Sequence, residues 1–338
     1  MRICLRFITA VLLTGFCSSS LFGSEEPALQ ILNPAMEAVI NEEALVSLVI
    51  APQSGAVDSI VINTDANKTF TIKVNDTRSH YCKNVPLHLG ENNLTISAYK
   101  GDAVIQQLHR RVFLTSKVHK EYRYPPDLYA RSFFHTQSNE KVCTKCHDMS
   151  VNEVEGVAFE DISTSNCYQC HMMITVKQHA HAPAVNWLCT SCHNGETGVF
   201  NDDDANLSKY TVPDPIAPVC LKCHDKQEKL WKTKRFDHEP ADSGRCNKCH
   251  NSHASDSAFY LRKPTWELCT GCHKDKVEGR HIVKTFSRSM HPTHGVKDPS
   301  RKGKDLSCIS CHNPHVSNAP FLLQSETVMG LCSRCHKK

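Results

Sequence analysis

Two stretches of this chain are near copies: Cys246-Asn247-Lys248-Cys249-His250-Asn251-Ser252-His253 and Cys308-Ile309-Ser310-Cys311-His312-Asn313-Pro314-His315. Each has a histidine-proline signature upstream, His238-Glu239-Pro240 and His291-Pro292. Each is followed by a second, shorter copy, opening at Glu267-Leu268-Cys269 and at Gly330-Leu331-Cys332. Working outward, the C-x-x-C-H core of these copies occurs eight times: Cys143-Cys146-His147, Cys167-Cys170-His171, Cys189-Cys192-His193, Cys220-Cys223-His224, Cys246-Cys249-His250, Cys269-Cys272-His273, Cys308-Cys311-His312 and Cys332-Cys335-His336. We number these motifs 1 to 8. Their first cysteines are 24, 22, 31, 26, 23, 39 and 24 residues apart, and they group into four units of two.

The spacing has a chemical reason. Two thiols separated by two residues reach the two vinyl groups of one porphyrin, and the next histidine lies under the iron as proximal ligand. Chance predicts about 0.07 such motifs at this composition. Paired C-x-x-C also occurs in zinc ribbons, but those leave the histidine after every pair unexplained. A disulfide scaffold needs neither the x-x spacing nor the histidine. The expected cofactor is haem c, eight copies, covalently bound.

The array resembles the doubled C-x-x-C-H family of multihaem cytochromes c over residues 130–338, in most detail in the last two units. The second unit keeps His181-Ala182-Pro183 but has Glu196 where His253 and His315 stand, and the first keeps His135 and has Ser150 there. The resemblance implies electron transfer through closely stacked haems. It also implies distal ligation by the His-x-Pro histidine and by the histidine trailing C-x-x-C-H.

A ligand count is independent of that likeness. Nine histidines outside the motifs lie from residue 130 onward. Eight haems with two histidines each need eight of them. The candidates are His135, His179, His181, His238, His253, His281, His291 and His315, with His294 as the spare. Met149, Met172, Met173, Met290 and Met329 are read as packing on porphyrin faces. His253 and His315 stand three residues after a proximal histidine. Three residues span at most about 10 Å, too little to round the ring. They therefore serve a neighbouring iron. About 26 residues per haem cannot build regular layers, so the expected domain is loops and short helices wrapped around stacked haems.

The first third reads differently. Residues 1–24 have Arg2 and Arg6, an apolar run from Phe7 to Phe16 and small residues after it, the layout of an export signal peptide. Residues 25–115 carry alternating or β-branched runs at 28–32, 44–51, 59–63, 69–74, 93–99 and 104–114 between turn residues. About seven strands predict an all-β sandwich. The stretch from Val85-Pro86-Leu87 to Gly90-Glu91-Asn92-Asn93-Leu94-Thr95 resembles immunoglobulin-like modules. His80, His88 and His109 read as structural or exposed, and Cys82 as a small buried hydrophobe. Residues 116–129 read as a linker to the octahaem domain, 130–338.

Formal charge is +4, which gives no reason to propose nucleic acid. Loss of Arg2 and Arg6 leaves +2, and eight oxidised haems with ionised propionates add about −8. No apolar run reaches the roughly 18 residues of a membrane helix. Export points to the periplasm or cell surface, with redox proteins, other cytochromes or a porin-type conduit as partners. Three functions are open to such a chain: an electron carrier, a multihaem reductase of a small nitrogen or sulfur oxyanion, and a structural docking protein. A reductase needs an open iron site, whereas here every motif ends in His and distal histidines suffice, so the carrier is expected. Asp202-Asp203-Asp204 reads as a solvated loop, and the basic run Lys226, Lys229, Lys232, Lys234, Arg235 as a helix face that could dock an acidic partner.

Overall fold

The computed structural model describes residues 27–40, 45–75, 77–132, 134–194, 209–277, 281 and 291–336. The signal segment, Glu196, Asp202–Asp204 and Met290 lie outside the described residues. The N-terminal region is two sheets. The smaller has the order β1-β3-β6, from β1 (Leu29–Asn33), β3 (Leu45–Pro52) and β6 (Tyr81–Pro86). The larger has the order β5-β4-β7-β8-β2-β9, from β2 (Ala38–Ile40), β4 (Ser59–Thr64), β5 (Thr69–Lys73), β7 (Gly90–Lys100), β8 (Ala103–Leu114) and β9 (Ala130–Arg131). Alternation sends one face of each sheet inward. Ile60, Ile62, Leu94, Ile96 and Ala98 of the larger sheet and Val46, Leu48, Ile50 and Val85 of the smaller form one buried core. Each large aliphatic side chain sealed there is worth about 1.5–3 kcal/mol.

Six runs expected as strands form strands, with ends shifted by up to three residues. The sequence reading missed β2 and placed no strand at β6. β2 is three residues long and pairs parallel with both β8 and β9, a contact set by distant chain. Cys82 corrects the sequence reading: it lies in β6 between buried Tyr81 and inward-facing Val85, on an exposed position rather than in the core.

The connector 116–129 packs on both regions. Tyr129 is buried and its ring meets Phe113 at 5.4 Å. Gly90 has φ +90°, and a Cβ there would lie 3.0 Å from the Tyr122 ring. On the other side Val118 is buried against Gly271, where a Cβ would lie 2.9 Å from its methyl group. Lys274 pairs with Glu121 at 3.6 Å.

Beyond residue 131 regular structure is sparse. The helices are α1 (Gln137–Cys143), α2 (Tyr168–His171), α3 (Ala182–Val185), α4 (Ala217–Cys220), α5 (Asp225–Trp231), α6 (Glu239–Asp242), α7 (Thr265–Cys272) and α8 (Val328–Ser333). Two-residue bridges tie successive units. β10 (His179–Ala180) pairs with β12 (Ala254–Ser255), and β11 (Phe236–Asp237) with β13 (Val316–Ser317), both antiparallel. Units 2, 3 and 4 therefore repeat one junction. The basic run lies in and after α5, where Lys229 and Lys232 pair with Asp225 and Glu228 one turn back. No helix among the described residues is long and apolar enough to cross a membrane.

Candidate haem-binding sites

Each of the eight motifs closes one helical turn. The histidine N–H donates to the first cysteine's carbonyl at 2.8–3.1 Å in every case. Cysteines three apart on such a turn share a face, with the histidine next to them.

The histidine rings then pair across gaps of one size. His135 faces His171 at 6.0 Å between ring centres, His181 faces His224 at 6.4 Å, and His193 faces His253 at 5.8 Å. His238 faces His273 at 6.2 Å and His250 faces His315 at 6.0 Å. His281 faces His312 at 6.0 Å and His291 faces His336 at 6.2 Å, both steeply inclined. A metal bound to two imidazole nitrogens at about 2.0 Å each, with about 1.2 Å from nitrogen to ring centre, separates the centres by about 6.4 Å. The gaps fit one iron each. Among the described residues no three His, Cys, Asp or Glu side chains cluster as a closed zinc site requires. A haem iron needs only two protein ligands, because the porphyrin supplies four.

The pairs follow two rules of position. In units 1 to 3 the histidine eight residues before a unit's first cysteine faces the second proximal histidine of that unit. His135, His181 and His238 obey this, and His291 does so from a longer distance. The histidine three residues after a first-motif proximal histidine faces the first motif of the preceding unit, as with His253 to His193 and His315 to His250. Neither faces its own motif, as tether length requires. Motif 7 is faced by His281, which lies in the stretch between motifs 6 and 7.

His294 stacks on Trp266 at 3.8 Å. His179 starts β10 at the register held by Phe236 in β11. His88 is bound by Asp65 and His109 lies beside Thr95. Met172, Met173 and Met329 are exposed.

The partner of each ring's other nitrogen fixes the tautomer. Nδ1 of His181, His238 and His291 donates to the carbonyls of Ser252, Pro314 and Pro292 at 3.0, 2.9 and 2.8 Å. Nδ1 of the proximal His193, His250 and His312 donates to the carbonyls of Tyr210, Phe259 and Phe321 at 2.8, 2.8 and 2.7 Å. Nε2 is thereby left as the free lone pair. Phe259, Tyr260, Phe321 and Leu322 hold left-handed backbone, φ +57° to +59°, which is costly for residues with a side chain. That conformation carries the two accepting carbonyls. Burial keeps several of these imidazoles neutral. It lowers the pKa of His181 and His193, and it pushes His315 down to about 4, helped by His250 and His238.

The thiols join the motifs into one series. Cys167 meets Cys189, Cys220 meets Cys246 and Cys269 meets Cys308 in hydrogen-bonded pairs, which link motif 2 to 3, 4 to 5 and 6 to 7. Within units, Cys143 and Cys170, Cys192 and Cys223, Cys249 and Cys272, and Cys311 and Cys335 are close enough for their charges to interact. Spatial order thus follows chain order from motif 1 to motif 8. Cys82 of the sandwich adjoins the start of the series. Its pKa is raised by desolvation and then by the Cys170 and Cys146 thiols.

Residues 238–278 and 298–338 match the family described as the doubled CXXCH motif. The chain is also similar to the multiheme cytochrome MtrA of Shewanella baltica (strain OS185), 30% identical over 163 residues, covering 46% of this chain and 44% of that one. It thus spans less than half the length of that relative. Motif chemistry, paired rings and these matches are those of multihaem c-type cytochromes, and the segments that match the doubled-motif family are the last two units. Among solved structures it is similar to the sulfur carrier protein SoxY from Chlorobium limicola f thiosulfatophilum (21% identity, 27% of this chain, 81% of that chain, TM-score 0.21). It is also similar to the Clostridium thermocellum CbhA fibronectin(III)-like modules (13% identity, 25% of this chain, 93% of that chain, TM-score 0.20). Scores of this size do not establish a shared fold.

Proposed function

We propose that the chain is an exported electron carrier that holds eight covalent haems in a single file. The seven facing histidine pairs on a continuous series of motifs carry this reading. When bound, each haem supplies a one-electron ferric/ferrous couple. The chain's own residues do the rest. Cys143, Cys146, Cys167, Cys170, Cys189, Cys192, Cys220, Cys223, Cys246, Cys249, Cys269, Cys272, Cys308, Cys311, Cys332 and Cys335 tether the porphyrins. His147, His171, His193, His224, His250, His273, His312 and His336 are proximal ligands. His135, His181, His238, His253, His281, His291 and His315 are distal ligands, with His179 the remaining candidate for the motif 1 iron. Carbonyl contacts at Nδ1 orient His181, His193, His238, His250, His291 and His312 and leave Nε2 for the iron. Two histidines per iron leave little room for substrate, which favours a carrier over a reductase.

The sandwich, read as an immunoglobulin-like module on residues 25–115, adjoins motif 1 through Cys82, and the connector packed on it reaches motif 6 at Gly271. It suits docking to a redox protein, another cytochrome or a porin-type conduit in the periplasm or at the cell surface. The test is a haem count by pyridine haemochrome and intact mass, with ferric spectra of the purified protein. Eight haems in low-spin, two-histidine form are expected. Six or fewer, or several haems with high-spin signals that bind cyanide, would overturn the carrier reading.

A further inference from the structure

One distal candidate is held differently from His181, His238 and His291. His135 Nδ1 donates not to a carbonyl but to a carboxylate, Glu140 Oε1, at 3.1 Å. Glu140 is 4% exposed. It sits on α1, which is capped by Thr136 and runs directly into Cys143 of motif 1. Its second oxygen accepts from Lys209 Nζ, and Lys209 N–H donates to the His135 carbonyl at 3.0 Å. The next residue, Tyr210, puts its ring edge on His135 at 5.0 Å and gives its carbonyl to His193. A buried acid and its lysine thus lie between the ligands of motifs 2 and 3.

We propose that Glu140 is a positioning residue that sets the potential of the motif 2 haem below those of the haems whose distal histidines meet main-chain carbonyls. The inference rests on the haem reading above. A carboxylate draws the Nδ1 proton more strongly than a carbonyl does and raises electron density at Nε2. Greater density at the ligand nitrogen stabilises ferric over ferrous iron. A buried negative charge close to the iron acts in the same direction, and low dielectric magnifies it. Lys209 opposes both effects. The couple is one electron, taken from an adjacent haem and passed to another. The proton stays between His135 and Glu140 throughout.

The test is an optically and EPR-monitored redox titration of the haem-loaded full chain and two variants. Glu140→Gln keeps the shape and removes the charge. One of the eight midpoints should rise, with haem content unchanged and the altered haem still low-spin with shifted g-values. Lys209→Met removes the opposing charge, and the same midpoint should fall. Opposite signs are expected only of an electrostatic role. Unchanged midpoints, or shifts of the same sign, overturn the proposal. If Glu140→Gln does not load with haem, Lys209→Met decides alone, and an unchanged or raised midpoint overturns it. Wild-type protein lacking haem on Cys167 and Cys170, seen by intact mass, would instead overturn the haem reading, so the two failures are distinguishable.

Discussion

The two halves of this molecule stabilise themselves by opposite means. Between residues 27 and 114, aliphatic side chains from two sheets seal one core, with Leu48, Ile50, Ile60, Ile62, Val85 and Ile96 at 0% exposure. Beyond residue 131, buried apolar residues are few and scattered, among them Trp187, Ile216, Val219, Leu268, Leu306 and Val316. Large apolar side chains there remain open, with Phe259 at 71% and Phe321 at 74% exposure. These two lie on the left-handed turns that hold the proximal His250 and His312. A haem bound at each of those turns would lie against its ring. One half carries its core in its side chains, and the other receives its core as covalent porphyrin.

The sharpest way to break this contrast is to withhold haem. Expressed where haem is not attached, the chain should keep a folded region over 27–131 and lose cooperative structure over 134–336. Hydrogen exchange resolved by segment would read this directly, as protected amides in β3, β4 and β7 and unprotected amides in the motif turns. Equal protection in both halves would show that the C-terminal half folds on its own contacts.

A smaller effect sharpens the ligand rules. His315→Ala should strip one iron of its second histidine, and that iron belongs to motif 5. His253→Ala should do the same at motif 3. Each variant should convert about one haem in eight to a high-spin ferric form, with every haem still attached. Proteolysis and mass analysis of cyanide-trapped peptides would assign the haem. Loss at motif 7 or motif 5 respectively would mean that the histidine serves its own motif and that the pairing is wrong.

Much of this was legible in the sequence. The eight motifs and their pairing into units follow from spacing alone, and the larger strands follow from alternation. The tether argument separated His253 and His315 from their own irons. Less legible was anything that depends on distant chain. β2 forms because β8 and β9 flank it, and β6 because β3 does. The offset of eight residues at His135, His181 and His238 is present in the sequence and, read against unit order, points to the rings that these three face. Glu140 could not be singled out, since it gains meaning from Lys209, 69 positions away. Cys82 was misplaced because hydrophobicity says nothing about which face of β6 it occupies.

Within the sandwich the expected effects are on stability alone. Leu48→Ala opens a cavity beneath β3 and should cost about 2–5 kcal/mol. Denaturant unfolding of the sandwich would register it, while redox titration of the haem half should show no change. A shift in any midpoint would mean that the sandwich core, and not merely its outer face near motif 1, is mechanically coupled to the haems.

The smallest expected effect is a pH-dependent one at motif 7. The Asp298 side chain is fully buried and accepts from Ser300 N and Oγ at 2.8 and 2.7 Å and from Arg301 Nε at 2.6 Å. Arg301 in turn donates to Ser310 Oγ at 2.6 Å, between the two cysteines of the motif. Burial works against the charge. The hydrogen bonds from Ser310, Ser300 and Arg301 outweigh it and hold the carboxyl well below the usual carboxylate range. A depressed folded-state pKa gives stability that is complete above the unfolded value, about 3.9, and is lost as pH falls through the folded value. Asp298→Asn should therefore weaken thermal stability of the haem half at pH 7, and the gap to wild type should narrow as pH drops below about 4. The exposed pair Lys297–Asp305, 79% and 69% accessible, gives a control. Its removal should matter little at any pH, because solvent screens it. A gap for Asp298→Asn that is as wide in strong acid as at neutrality would show that packing, not charge, anchors the loop to motif 7.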